Sequence, residues 1–186
     1  MSLRWVAEWL GTTAGSIALH ESVYGYPLLE SVHVWGLALF VGMIAIIDLR
    51  LTGAVLRQVP VSEVTRRLLP LAIGAFSVMV CSGLLLFYAI PVRTYHSVWF
   101  RGKLILLALS GLNGWVFHVN VWRRVADWDR DPIPPRAARA AGVLSLLLWT
   151  SIIFSGRLIA YNWFDCDLQP QPGFINWAAG CVIESD

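Results

Sequence analysis

Glu30, His33, Lys103 and Arg157 are the side chains of this sequence whose types and positions can do chemistry together. Each interrupts a stretch otherwise rich in Leu, Val, Ile, Ala, Phe and Trp. Glu30 and His33 stand three residues apart, so on a helix they share a face. A carboxylate there can pair with the Lys103 ammonium or the Arg157 guanidinium, leaving the imidazole free to take a proton or bind a metal. Two readings of the cluster stand. It is a cofactor or substrate pocket, or it is a buried ion-pair network that fixes the order of the helices, with Lys103 snorkelling to the surface. Glu-x-x-His is also half of a carboxylate di-iron site, but the second Glu-x-x-His and two further glutamates that such a site needs are missing.

A b-type haem requires one or two axial ligands, an apolar slot and basic groups for its propionates. His33 supplies one ligand, and Lys103 and Arg157 supply two propionate partners. His118 is a further cofactor-binding candidate, but by helix rise it lies about 20 Å deeper than His33, too far to share one iron. A second ligand would require His20 or His96 to fold inward; otherwise the haem is five-coordinate, or His33 and His118 serve separate sites. A quinone-like cofactor would use His33 as proton partner, with Glu30 orienting it. No Cys-x-x-Cys-His occurs, which excludes covalent c-type haem. Met43 and Met79 read as packing residues.

The elements that must position these groups follow from composition. The chain has 186 residues, 57% hydrophobic and 14% charged, and a mean hydropathy of +0.63. That is too apolar for an ordinary soluble domain, and the apolar residues fall in blocks. A bilayer core needs roughly 20 apolar residues as helix, because unpaired backbone groups are not tolerated in lipid. Four segments meet this requirement, at about 26–49, 68–90, 98–122 and 138–163. The expected fold is all-α: an interfacial amphipathic helix in residues 1–24, a four-transmembrane-helix bundle over 25–163, and an extracytoplasmic tail over 164–186.

Orientation follows from the basic residues, which collect in short cytoplasmic loops. Arg50, Arg57, Arg66 and Arg67 lie in the first connection and Arg123, Arg124, Arg130, Arg136 and Arg139 in the third; the other side has Arg4, Arg93 and Arg101. Nine against three places both termini and the loop Pro91 to Ser97 outside the cytoplasm, in a bacterial inner membrane. By this layout Glu30, His33, Lys103 and Arg157 differ in depth by only a few ångströms, in the outer third. An inner layer holds Asp48 and Arg50, expected to cap the first span at the headgroups. It also holds Asn113, expected to bond across helices beside a close-approach surface at Gly111 and Gly114, and His118.

The flanks and loops read as structural. Trp5, Val6, Trp9 and Leu10 fall at helical spacing in Leu3 to Leu19 without the long apolar core of a signal peptide, so this segment lies on the outer surface. Cys166 and Cys181 can pair as a disulfide in an oxidising compartment; Cys81, inside a span, reads as a packing residue. In the first connection the run Pro60 to Thr65 can start a helical turn with Ser62 as its N-cap, and Pro135 suits the first turn of the fourth helix. There is no phosphate-cradling glycine loop, no nucleophile elbow and no signal for binding nucleic acid.

Several runs together resemble an uncharacterised bacterial family of short four-helix membrane proteins. They include Tyr26-Pro-Leu-Leu-Glu30-Ser-Val-His33-Val-Trp-Gly36, then Gly42 and Asp48-Leu-Arg50-Leu-Thr-Gly53. Further along come Gly83-Leu-Leu-Leu-Phe87, Phe100-Arg-Gly-Lys103 with Asn113 and Phe117-His118, Ser145-Leu-Leu-Leu-Trp149, and Gly156-Arg157-Leu-Ile-Ala-Tyr161. The likeness covers nearly all of Trp5 to Tyr161 and implies the fold without a chemistry. More distantly, His33 and the Phe-x-x-Lys ending at Lys103 are similar to the copper-resistance D membrane family and the haem-binding protoporphyrinogen oxidases. That likeness implies copper handling or haem-linked redox chemistry, although a Met- or His-rich copper-binding stretch is missing.

The leading expectation is therefore a redox module that binds a haem b or quinone-like cofactor in the outer third of the bundle. A second reading is an accessory subunit of a larger membrane complex, or a homo-oligomer, whose polar residues serve assembly. A third is transport of a small solute or metal ion, against which four helices without discontinuous segments make a small pore.

Overall fold

The computed structural model describes residues 4–161, 164, 166 and 171–181. Among them every regular element is helical. Helix α1 (Arg4–Gly11) and helix α2 (Ala14–Glu21) precede the long helix α3 (Gly25–Thr52). Then come α4 (Val61–Ala89), the short α5 (Pro91–His96), α6 (Val98–Asn120), a 3-10 turn at Trp122–Asp127, α7 (Arg136–Ala160) and α8 (Gly173–Ala179). Four of them, α3, α4, α6 and α7, are long and apolar enough to cross a bilayer, and the protein is a multi-pass membrane protein.

Helix α4 starts at Val61, seven residues before the apolar block that marks it in the sequence. Its first turns are amphipathic, with Glu63 bonded to both Arg66 and Arg67. Ser62 is not its N-cap. Pro60 precedes the helix, and the amide and hydroxyl of Ser62 both donate to the Asp129 carboxylate at 2.7 Å. The Val61 amide donates to the Asp129 backbone carbonyl at 3.0 Å. The orphan donors of this helix end are thus satisfied by a residue from the α6–α7 connection. Pro135 stands immediately before α7, where its fixed φ suits a helix entrance. The expected end of that span at Trp163 lies outside the described residues.

The order of packing is α4, α3, α7, α6: α3 lies along α4 and α7, and α7 along α6. Two glycines set the close approaches. A Cβ on Gly36 would sit 3.3 Å from the Met79 amide nitrogen of α4, and one on Gly142 would sit 2.9 Å from the Asp48 carbonyl oxygen of α3. Helices α4 and α6 scarcely approach each other; at the end of the bundle nearest α5 the gap is bridged by the stacked rings of Phe87 and Phe100, 5.5 Å apart. Phe40, Ala72, Met79, Trp149 and Ile152 form the middle of the core. Helix α6 has no buried residue at all.

At the end of the bundle that carries the α3–α4 and α6–α7 connections, those connections fold back on it. Arg50 is not a headgroup anchor: it is wholly buried, its Nε donating to the Val59 carbonyl at 2.8 Å and its Nη2 to the Asp131 carbonyl at 3.1 Å. Asp48 is buried too, so neither residue caps α3 at the headgroups. That helix ends instead on Gly53, whose left-handed backbone (φ 75°) lets its amide return to the last turn.

The N-terminal segment is two helices rather than one. Thr13 breaks it, accepting from the Ser16 amide as N-cap of α2, and its hydroxyl meets that of Tyr88 at 2.6 Å. Trp5 and Trp9 face away from the protein. Cys166 and Cys181 are joined by a disulfide with Cα atoms 5.3 Å apart. The carbonyls at the end of α8 are received by Arg101 Nη1 (Ala178, 2.7 Å) and His96 Nδ1 (Ala179, 3.2 Å), which holds this helix over the N-terminal end of α6.

Candidate functional site

His33 faces α4. Gly36, one turn further along α3, lets the two backbones come so close that the imidazole reaches a main-chain carbonyl of the neighbouring helix. Nδ1 lies 3.0 Å from the Met79 carbonyl oxygen and 3.0 Å from Ser82 Oγ. The Ser82 hydroxyl donates to Val78 at 2.7 Å, so the carbonyl contact assigns the proton to Nδ1. Nε2 then carries the lone pair. Gly83 makes room for the ring, for a Cβ there would lie 3.1 Å from His33 Cε1.

Lys103 reaches the same region from α6. It is half-buried, its Nζ rests against Gly156 of α7, where a Cβ would lie 3.4 Å away, and its charge is near enough to act on His33. No ion pair to Lys103 occurs among the described residues. A half-buried ammonium with no counter-charge among the described residues, beside an imidazole that presents a lone pair, can hold an anionic or carbonyl oxygen while the imidazole accepts a proton or ligates a metal.

Glu30 and Arg157 do not join this pair. Both are exposed, and each finds a tyrosine one turn away on its own helix: Glu30 bonds to Tyr26, and Arg157 donates to Tyr161 Oη at 2.9 Å with its guanidinium 4.9 Å from the ring centre. The ion-pair network expected among the four residues is therefore absent from the described residues. His118 is exposed near the inner end of α6, far from His33. His20 stands edge-on to Tyr26, and His96 is taken by α8. Among the described residues no three of His, Cys, Asp and Glu are grouped to hold a metal ion.

Asn113 does bond across helices, its amide donating to the Ala141 carbonyl at 3.1 Å. Gly111 and Gly114 are not the close-approach surface expected beside it: nothing lies within 4 Å of a Cβ built on either. Cys81 likewise points out of the bundle. Ser82 is the contributor that the sequence does not single out; Met79 reads there as packing, and Gly83 and Gly156 stand only in the family-like runs. A serine and a glycine adjacent in an apolar span were the available signal.

Residues 7–162 match the family model described as Family of unknown function (DUF6644). The chain belongs to this family. The DUF6644 portion takes in His33, Lys103 and the three glycines around them, whereas α8 and the disulfide lie beyond it. No curated protein and no solved structure matches the chain.

Proposed function

We propose that this protein is a membrane-embedded redox module whose outer end holds a planar cofactor, a haem b or a quinone, beside the gap between α4 and α6. The observation that carries the reading is the His33 imidazole, tied through Nδ1 to the Met79 carbonyl so that Nε2 keeps its lone pair. A ring nitrogen fixed in this way by a backbone carbonyl is the usual support of a metal-ligating histidine.

The donor set fits both groups. For haem, His33 Nε2 would ligate the iron and Lys103 would hold a propionate; His20, His96 and His118 are engaged or turned elsewhere, so His33 is the one histidine that would serve. For a quinone, Lys103 Nζ would donate to one carbonyl oxygen, and His33 Nε2 would accept a hydroxyl proton from the reduced quinol form. Bound there, either group supplies the electron-carrying chemistry. The chain's own residues orient it, hold its anionic part and keep one proton position open at His33. The bundle is oriented with its arginine-rich connections in the cytoplasm and the site outside, a reading supported by the distribution of arginines and by a disulfide in the tail.

The experiment is an absorbance spectrum and a solvent extract of the protein purified in mild detergent, with His33→Ala and Lys103→Gln variants alongside. A Soret band lost in His33→Ala supports haem. A quinone recovered from wild type and lost in both variants supports the quinone. Wild-type protein carrying neither overturns the proposal. An accessory role gains support from α6, which has no buried residue and leaves Gly102, Gly111 and Gly114 open. Co-purification of a stoichiometric membrane partner or a second copy that buries α6 is its test.

A further inference from the structure

We propose that the groove along α7 at the inner end of the bundle binds one anionic phospholipid. The groove measures about 550 Å³ and is lined by Thr52, Arg136, Arg139, Ala140, Val143 and Leu144, ending at Leu147. Its α7 residues recur at intervals of three and one, which places them on one helix face. From Arg136 to Leu147 that face runs about 16 Å, from headgroup depth into the hydrocarbon. The close seam that Gly142 makes with α3 sets Thr52 beside it as the second wall.

The charge pattern selects the occupant. Two exposed guanidinia stand at the mouth, and neither has an ion-pair partner among the described residues. No carboxylate lines the groove. On the same side of the membrane Asp129 is committed to Ser62, and Glu63 to Arg66 and Arg67. The mouth thus attracts a phosphodiester and offers nothing to the ammonium of a zwitterionic headgroup. A free phosphate would use the arginines and leave Val143, Leu144 and Leu147 idle; an acyl chain uses all three.

Native mass spectrometry of the delipidated protein titrated with phosphatidylglycerol or phosphatidylcholine tests this. Wild type retains one phosphatidylglycerol in preference to phosphatidylcholine. Arg136→Gln with Arg139→Gln lowers that affinity roughly 25-fold, at about 1 kcal/mol per basic residue near a membrane surface. The control pair Arg123→Gln with Arg124→Gln, which removes equal charge outside the groove, changes it less than about 3-fold. Ala140→Trp fills the groove, keeps both arginines and also weakens binding. Equal loss in the two arginine pairs, no preference for phosphatidylglycerol, or displacement of the lipid by an equal concentration of glycerol 3-phosphate overturns the proposal.

Discussion

Replacing Asp129 with alanine tests how the two halves of the bundle are joined. The carboxylate accepts from both the amide and the hydroxyl of Ser62 at 2.7 Å, and it does so across 67 residues of sequence. A side-chain cap at a helix N-terminus contributes about 1 kcal/mol, and a hydrogen bond to a charged group about 1.5–3 kcal/mol. Part of the second is recovered when water reaches the freed hydroxyl, so Asp129→Ala costs about 2–3 kcal/mol. The Val61 amide keeps its bond to the residue 129 carbonyl in every variant and drops out of the comparison. Ser62→Ala, which loses one of the two bonds, costs about 1 kcal/mol, and the double variant little more than Asp129→Ala alone. Reversible unfolding in mixed micelles by dodecyl sulfate, followed through tryptophan fluorescence, measures all three. Asp129→Ala within about 0.5 kcal/mol of wild type, or strict additivity with Ser62→Ala, would refute the assignment of Asp129 as the cap of α4.

The glycines separate by what surrounds them. Gly142→Val brings a side chain against the Asp48 carbonyl and Leu51, and lowers stability in the same assay by about 2–3 kcal/mol; Gly114→Ala, with open space around it, is neutral or stabilising by up to about 1 kcal/mol. Cys166→Ser removes a cross-link that spans 15 residues and costs about 3 kcal/mol on the chain-entropy account. The loss registers locally, as faster proteolysis of the tail around α8 with unchanged unfolding of the four long helices.

Depth was legible in the sequence and direction was not. Hydrophobic blocks locate the four spans because lipid demands them, and helix rise places Glu30, His33, Lys103 and Arg157 at one level. Which of them point inward depends on the order α4, α3, α7, α6, and no single helix encodes that order. Glu30 and His33 share a face by spacing, yet His33 turns to the Met79 carbonyl while Glu30 stays exposed beside Tyr26. Arg50 was misread for a related reason. An arginine at the end of a span ordinarily reaches for headgroups, but here residues 59 and 131 fold over it and offer carbonyls instead. A helical turn near Ser62 was legible, but its continuity with the second span and its cap by Asp129 were not, because that cap comes from a distant connection.

The separation of α4 from α6 has a kinetic consequence. With α6 fastened to the bundle through α7 and tied at its N-terminal end by α8, the loosely packed side between α4 and α6 is the route by which the proposed cofactor would enter, from among the acyl chains. A molecule bound beside His33 and Lys103 by that route is drawn from solution in the bilayer. The occupancy of the proposed site would then follow the ligand's mole fraction among the lipids, so the oil–water partition coefficient, more than aqueous concentration, would set how fast and how fully it fills.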